Sequence, residues 1–168
     1  IPLKADSDTL VNGEPIDNPV SEAINHPVGY VTQALFNYLF SNDMQDDDLL
    51  PSWLEPYFTA LCDVKIRRFR HGRVILASNL IPLLRIDPVW TKAHLLPFFN
   101  WDNPSEARVV WSGFLWSPRL YQPLFDIFKQ DFLRTVNHLD LLGEYNNQYI
   151  SVLTYTALDM GESFTDVE

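Results

Sequence analysis

Apolar residues recur every three or four positions along most of the chain, and no stretch sustains a two-residue alternation. The pattern predicts helices, with at most one short strand near 63–69. Over 27–40, Val28, Val31, Leu35 and Tyr38 form a stripe widened by Ala34 and Leu39, and Pro27 suits the first helical position. A short helix over 51–62 takes Ser52 as its N-cap and buries Leu54, Tyr57, Phe58 and Leu61, with Pro56 trimming its first turn. Residues 74–85 are apolar on two faces, one of Val74, Ala77, Ile81 and Leu84, the other of Leu76, Leu80 and Leu83. A helix apolar this far round is covered on both sides. Pro82 should kink or end it, and Asp87 should cap a restart at Pro88 that runs to Phe99. Asn103-Pro104-Ser105-Glu106 reads as a helix start, with an acid where a capping box needs one. That helix buries Val110, Trp111, Phe114 and Leu115 before Ser117-Pro118 breaks it. The longest helix, over 123–139, carries the stripe Phe125, Phe128, Phe132, Val136 and Leu139 and stops at Gly143. A last helix over 144–160 runs through Tyr149, Val152, Leu153, Thr156 and Met160.

Two apolar helical patterns flank Asp87-Pro88, two more flank Ser117-Pro118, and these breaks lie thirty positions apart. The spacing predicts an all-α fold of about seven helices in stacked antiparallel pairs, a HEAT-like repeat array. Residues 1–17, with Asn12-Gly13 and Glu14-Pro15, lack a helical period and read as an extended linker or tail. Residues 18–160 form the helical domain, and 161–168 are a frayed acidic end. At 168 residues the chain suits one domain, able to bury roughly 70% of its unfolded surface. It opens on Ile1, which predicts a processed product or a piece of a longer protein.

Charge narrows the partners. A net charge of −10 opposes binding to phosphate backbones and to anionic membranes, so neither nucleic acid nor membrane is expected. Lone Cys62 cannot form an internal disulfide, which fits a cytoplasmic setting. Against this acidity, Lys65, Arg67, Arg68, Arg70 and Arg73 gather five of the twelve basic residues in one short segment. They are the candidate interaction surface, for another domain of a longer polypeptide, a protein partner or a second copy of the chain. The bland reading is a surface loop answered by Asp43, Asp46, Asp47 and Asp48. Those aspartates lack the alternating register, glycine and distant glutamate of a calcium loop.

Little else points to chemistry. Six scattered glycines form no phosphate loop, and neither a nucleophile elbow nor a zinc-protease motif occurs. His26, His71, His94 and His138 lack metal-ligand spacing, so zinc held by them and Cys62 is not expected. His26 reads as a helix cap, His94 as a core or boundary residue, and the five tryptophans as core filling rather than a cage. No catalytic residue, metal or cofactor is assigned. The alternatives are a stand-alone hydrolase built on His26, His94 and the aspartates, and a structural oligomerisation domain.

Three phrases carry a resemblance: HPVGYVTQAL at 26–35, RIDPVWTKAHLLPFFNW at 85–101 and WSGFLWSPRL at 111–120. Together they resemble a bacterial domain family of unknown function found toward the C-terminus of proteins with a sirtuin-like N-terminal domain. The resemblance spans about 22–139 and implies an antiphage defence protein whose NAD-consuming domain lies outside this chain. It implies no site residue here. The expectation is a non-catalytic interaction or regulatory domain.

Overall fold

The computed structural model describes residues 10–11, 14–15 and 18–159 and is all-α apart from one minimal strand pair. Leu10–Val11 (β1) and Glu14–Pro15 (β2) pair antiparallel within the expected tail. The rest of that tail, the expected frayed end at 161–168 and Met160 lie outside the described residues.

Two short connected helices open the fold, α1 at Pro19–Asn25 and α2 at Pro27–Phe40. Asn18 Oδ1 accepts from the N–H groups of Val20 and Ser21, and His26 Nδ1 accepts from that of Val28. Each cap thus satisfies donors that a helix start leaves without partners. The elements α3 (Glu55–Leu61), α4 (Arg70–Ser78), α5 (Leu80–Ile86) and α6 (Pro88–Trp90) follow. The chain then widens into a π turn at Thr91–Leu95 and tightens into a 3-10 turn at Leu96–Phe99. The remaining elements are α7 (Pro104–Trp116), α8 (Gln122–Arg134), α9 (Leu139–Leu142) and α10 (Asn146–Asp159).

Helix α4 is the centre of the packing. It packs against α7, α1 and α2, and residues 71–77 are all buried. Glycine makes both close approaches possible. A Cβ at Gly113 in α7 would run into the Val74 carbonyl oxygen of α4, and one at Gly29 in α2 into that of Ala23 in α1. Gly113→Ala is therefore expected to lower stability by about 2 kcal/mol, because overfilling a tight contact forces the helices apart. Denaturant melts check it, and an unchanged midpoint would show that α7 can shift freely.

The structure corrects several expectations. The expected 74–85 helix starts earlier and is split at Asn79, whose φ of −111° and ψ of 24° leave the helical region. Pro82 consequently sits in the first turn of α5, where it neither kinks nor ends a helix. Ser52 caps nothing, since α3 starts at Glu55 without a side-chain cap. The buried face of α2 is Gly29, Thr32, Phe36 and Leu39, so Val31 and Tyr38 point outward at 60% and 57% exposure. Thr32 tolerates the core because its hydroxyl donates to the Val28 carbonyl at 2.7 Å. Tyr57 is likewise exposed. The expected 123–139 helix ends at Arg134 and tightens into a 3-10 turn over Thr135–His138. That change of pitch turns Val136 outward and buries Thr135 instead, whose hydroxyl accepts from Trp101 Nε1. No strand forms near 63–69, where the chain makes a 3-10 turn at Arg67–Phe69.

Other expectations hold. Asp87 caps α6, its Oδ1 accepting from the Trp90 N–H at 2.9 Å, while Oδ2 accepts from the Leu50 N–H at 3.1 Å. One carboxylate thus starts a helix and ties down the connection before α3. Of the five tryptophans expected in the core, Trp90, Trp101 and Trp111 are buried, but Trp53 and Trp116 are about half exposed and correct that expectation.

Candidate functional site

Three helix ends meet around a groove of about 670 Å³. Its floor is the α4–α5 junction, from Ser78 to Pro82. Phe40, Asp43, Met44 and Asp46 line it from the end of α2 and the connection beyond, and Trp116, Ser117 and Arg119 from the end of α7. Both α2 and α7 pack on α4, which brings these two groups to one groove.

The acidic wall is held in a fixed shape. Asp43, Asp47 and Leu49 have φ values of 50°, 63° and 67°, in the left-handed region that non-glycine residues seldom enter. The strain persists because the loop is bonded at several points to the end of α5. The N–H groups of Asp47 and Leu49 donate to the carbonyls of Arg85 and Ile86 at 2.8 and 2.9 Å. The Arg85 guanidinium meets Asp46 at 2.8 Å. Hydrogen bonding to Asp46 raises the pKa of Arg85 further, so the arginine keeps its charge. The expected balance between these aspartates and the basic segment is replaced, for Asp46, by this pair.

The expected interaction surface of Lys65, Arg67, Arg68, Arg70 and Arg73 is broken up by the fold. Lys65, Arg67 and Arg68 are exposed, and the Arg68 guanidinium lies 6.0 Å from the Phe69 ring centroid. Arg70 is half-buried and paired with Glu22 of α1 at 2.8 Å. Arg73 is wholly buried and cannot belong to a surface. Its Nη2 lies 2.8 Å from Glu106 Oε2, its Nη1 donates to the Leu61 carbonyl at 2.8 Å, and its guanidinium sits over Phe98 at 5.3 Å. Segment 65–73 straddles the start of α4, so successive arginines face successive sides of a helix.

A smaller pocket of about 270 Å³ is lined by His71, Glu22, Glu106, Arg67, Arg70 and Arg108 among others. Its two carboxylates are committed to Arg70 and Arg73. His71 is buried and stacks on His26 with ring centroids 4.0 Å apart. His26 acts as the expected cap, while His94 stacks on Trp90 and His138 on Trp101. The arrangement expected for a hydrolase, His26 with His94, is replaced by these pairings. Among the described residues no group of three or more His, Cys, Asp or Glu side chains is placed to hold a metal ion. No helix among them is long and apolar enough to cross a membrane.

Burial pushes the Cys62 thiol up to about 12, against a partial lowering by the Arg73 charge. The neutral thiol should resist alkylation at pH 8 in the folded chain and react once the chain unfolds. The raised value favours the folded state below the ordinary thiol value of 9.0, and this contribution is lost as pH rises from there toward about 12. Fast alkylation under native conditions would show that the thiol is open to water.

Sequence reasoning missed the groove because its residues come from three stretches with no shared motif. The exposed Trp116 beside a helix stop was the one available signal. No family model, curated protein or solved structure matches the chain.

Proposed function

We propose that this chain is a non-catalytic interaction domain, serving a larger bacterial, cytoplasmic NAD-consuming defence protein. The observation that carries the interaction reading is the groove. Phe40 and Trp116 are 44% and 47% exposed at its walls above a floor of Leu80, Ile81 and Pro82. Large aromatics left half in water are the side chains that most often anchor a partner. The defence context rests on the resemblance of the three phrases at 26–35, 85–101 and 111–120. Lone Cys62 supports the cytoplasmic setting. The helices read as stacked pairs of a HEAT-like array, a reading supported by the close approaches at Gly29 and Gly113.

A hydrolase reading draws on the small pocket, where His71 shares a concavity with Glu22 and Glu106. It is disfavoured because both carboxylates already bind guanidiniums, Glu22 that of Arg70 and Glu106 that of Arg73. The purified chain is expected to leave NAD and a generic acyl ester unchanged. Turnover that survives repurification and disappears in a His71→Ala variant with a normal melt would overturn the non-catalytic reading.

A further inference from the structure

Resting on the interaction reading above, we infer that the groove between the ends of α2 and α7 binds a peptide segment of a protein partner. The segment carries an apolar anchor with a basic residue on one side and an acidic residue on the other. Three observations identify this occupant.

The first is the charge of the walls. On the α2 side, the Asp46 carboxylate is taken by Arg85, while exposed Asp43 meets only the Gln45 amide, at 3.5 Å. On the α7 side, Arg119 is exposed and forms no ion pair among the described residues. Opposite charges lining one groove select a ligand bearing both signs and set its direction. Exposed pairs of this kind contribute orientation and specificity more than affinity.

The second is the floor. The Asn79 amide group donates to the Ile75 carbonyl at 2.9 Å and to Ser78 Oγ at 3.2 Å. Its side-chain Oδ1 accepts no hydrogen bond among the described residues, and Asn79 lines the groove. An acceptor on a half-buried residue that lines the groove suits a backbone N–H, which every peptide residue except proline supplies.

The third is shape. Phe40 and Trp116 both line the groove and are half exposed, so an apolar side chain entering it meets large rings, and about 670 Å³ holds several side chains. The strained, multiply bonded loop carrying Asp43 holds its wall in place before binding, which reduces the ordering that association requires.

The test is selection from a random peptide library displayed on phage, using the whole chain as bait. The parent should enrich peptides with an apolar residue flanked by opposite charges. Trp116→Ala should weaken the selected peptides by about tenfold or more, as loss of an aromatic anchor does. Arg119→Glu should exchange the acidic preference for a basic one. Asp43→Asn, tolerated in the left-handed conformation, should remove the basic preference alone. Melts that superpose on the parent's confirm that each variant folds. Failure to enrich any peptide overturns the inference. So does an unchanged charge pattern in both wall variants, or full affinity in Trp116→Ala. These outcomes leave the non-catalytic reading standing, since that reading falls only to turnover.

Discussion

Phe128→Ala is expected to lower the stability of the chain by about 3–5 kcal/mol, the range for truncating a fully packed phenylalanine. Phe128 is 3% exposed and meets five other rings. Phe99, Phe114 and Phe125 meet it edge-on at 5.8, 5.7 and 5.3 Å, and Trp111 and Phe132 stack on it at 5.3 and 6.1 Å. Removing the ring leaves a void bounded by other rigid rings, which cannot close over it as flexible aliphatic chains would. Edge-to-face pairs are lost as well. The backbone at Phe128 is also non-helical, with φ −111° and ψ 16°, so the packing of the ring holds a bend in α8. Denaturant melts give the measurement. A loss under about 1 kcal/mol would show that α8 straightens and refills the space.

Arg73→Ala should be nearly as damaging, at about 3 kcal/mol, toward the lower end for breaking a buried ion pair. The guanidinium has no exposed surface and joins α4 to α7 through Glu106, and to the end of α3 through the Leu61 carbonyl. Its loss leaves that carbonyl without its donor and Glu106 without its counter-charge. Glu106 retains 18% exposure, so water takes up part of the charge, which is why the upper end of the range is not expected. Arg73→Lys should recover little, because one ammonium cannot reproduce the fork to both acceptors. A double variant, Arg73→Met with Glu106→Gln, should be milder than Arg73→Ala, since it removes both charges while keeping most of the volume. If the double variant is as unstable as Arg73→Ala, the arginine acts through packing over Phe98 and not through charge.

The two residues differ in how far the sequence announced them. Phe128 was legible from spacing alone, because Phe125, Phe128 and Phe132 can share a helix face in only one way. Arg73 was not. Sequence placed it with Lys65, Arg67, Arg68 and Arg70 as one positive patch, yet the start of α4 rotates each arginine to a different side. Glu106 was read as a capping-box acid, and the cap is not formed. A buried guanidinium is a stronger partner for a carboxylate than a solvated backbone N–H, and only the packing of α4 on α7 brings it there.

By itself the sequence determined the helical class, most of the helix starts and the phenylalanine stripe of α8. Those depend on local rules: the three- and four-residue recurrence, proline at first positions, and Asp87 before Pro88. Tertiary structure decided which face of each helix is inside. Around α2, apolar residues occupy more than one face, so periodicity could not choose between Val31 with Tyr38 and Phe36 with Leu39. The contact of Gly29 with Ala23 made that choice. The 3-10 tightening after Arg134 likewise turned Val136 out and Thr135 in. The groove belongs wholly to this second level. Phe40, Asn79 and Trp116 lie far apart in sequence and meet because α2 and α7 both pack on α4, a juxtaposition no local pattern encodes.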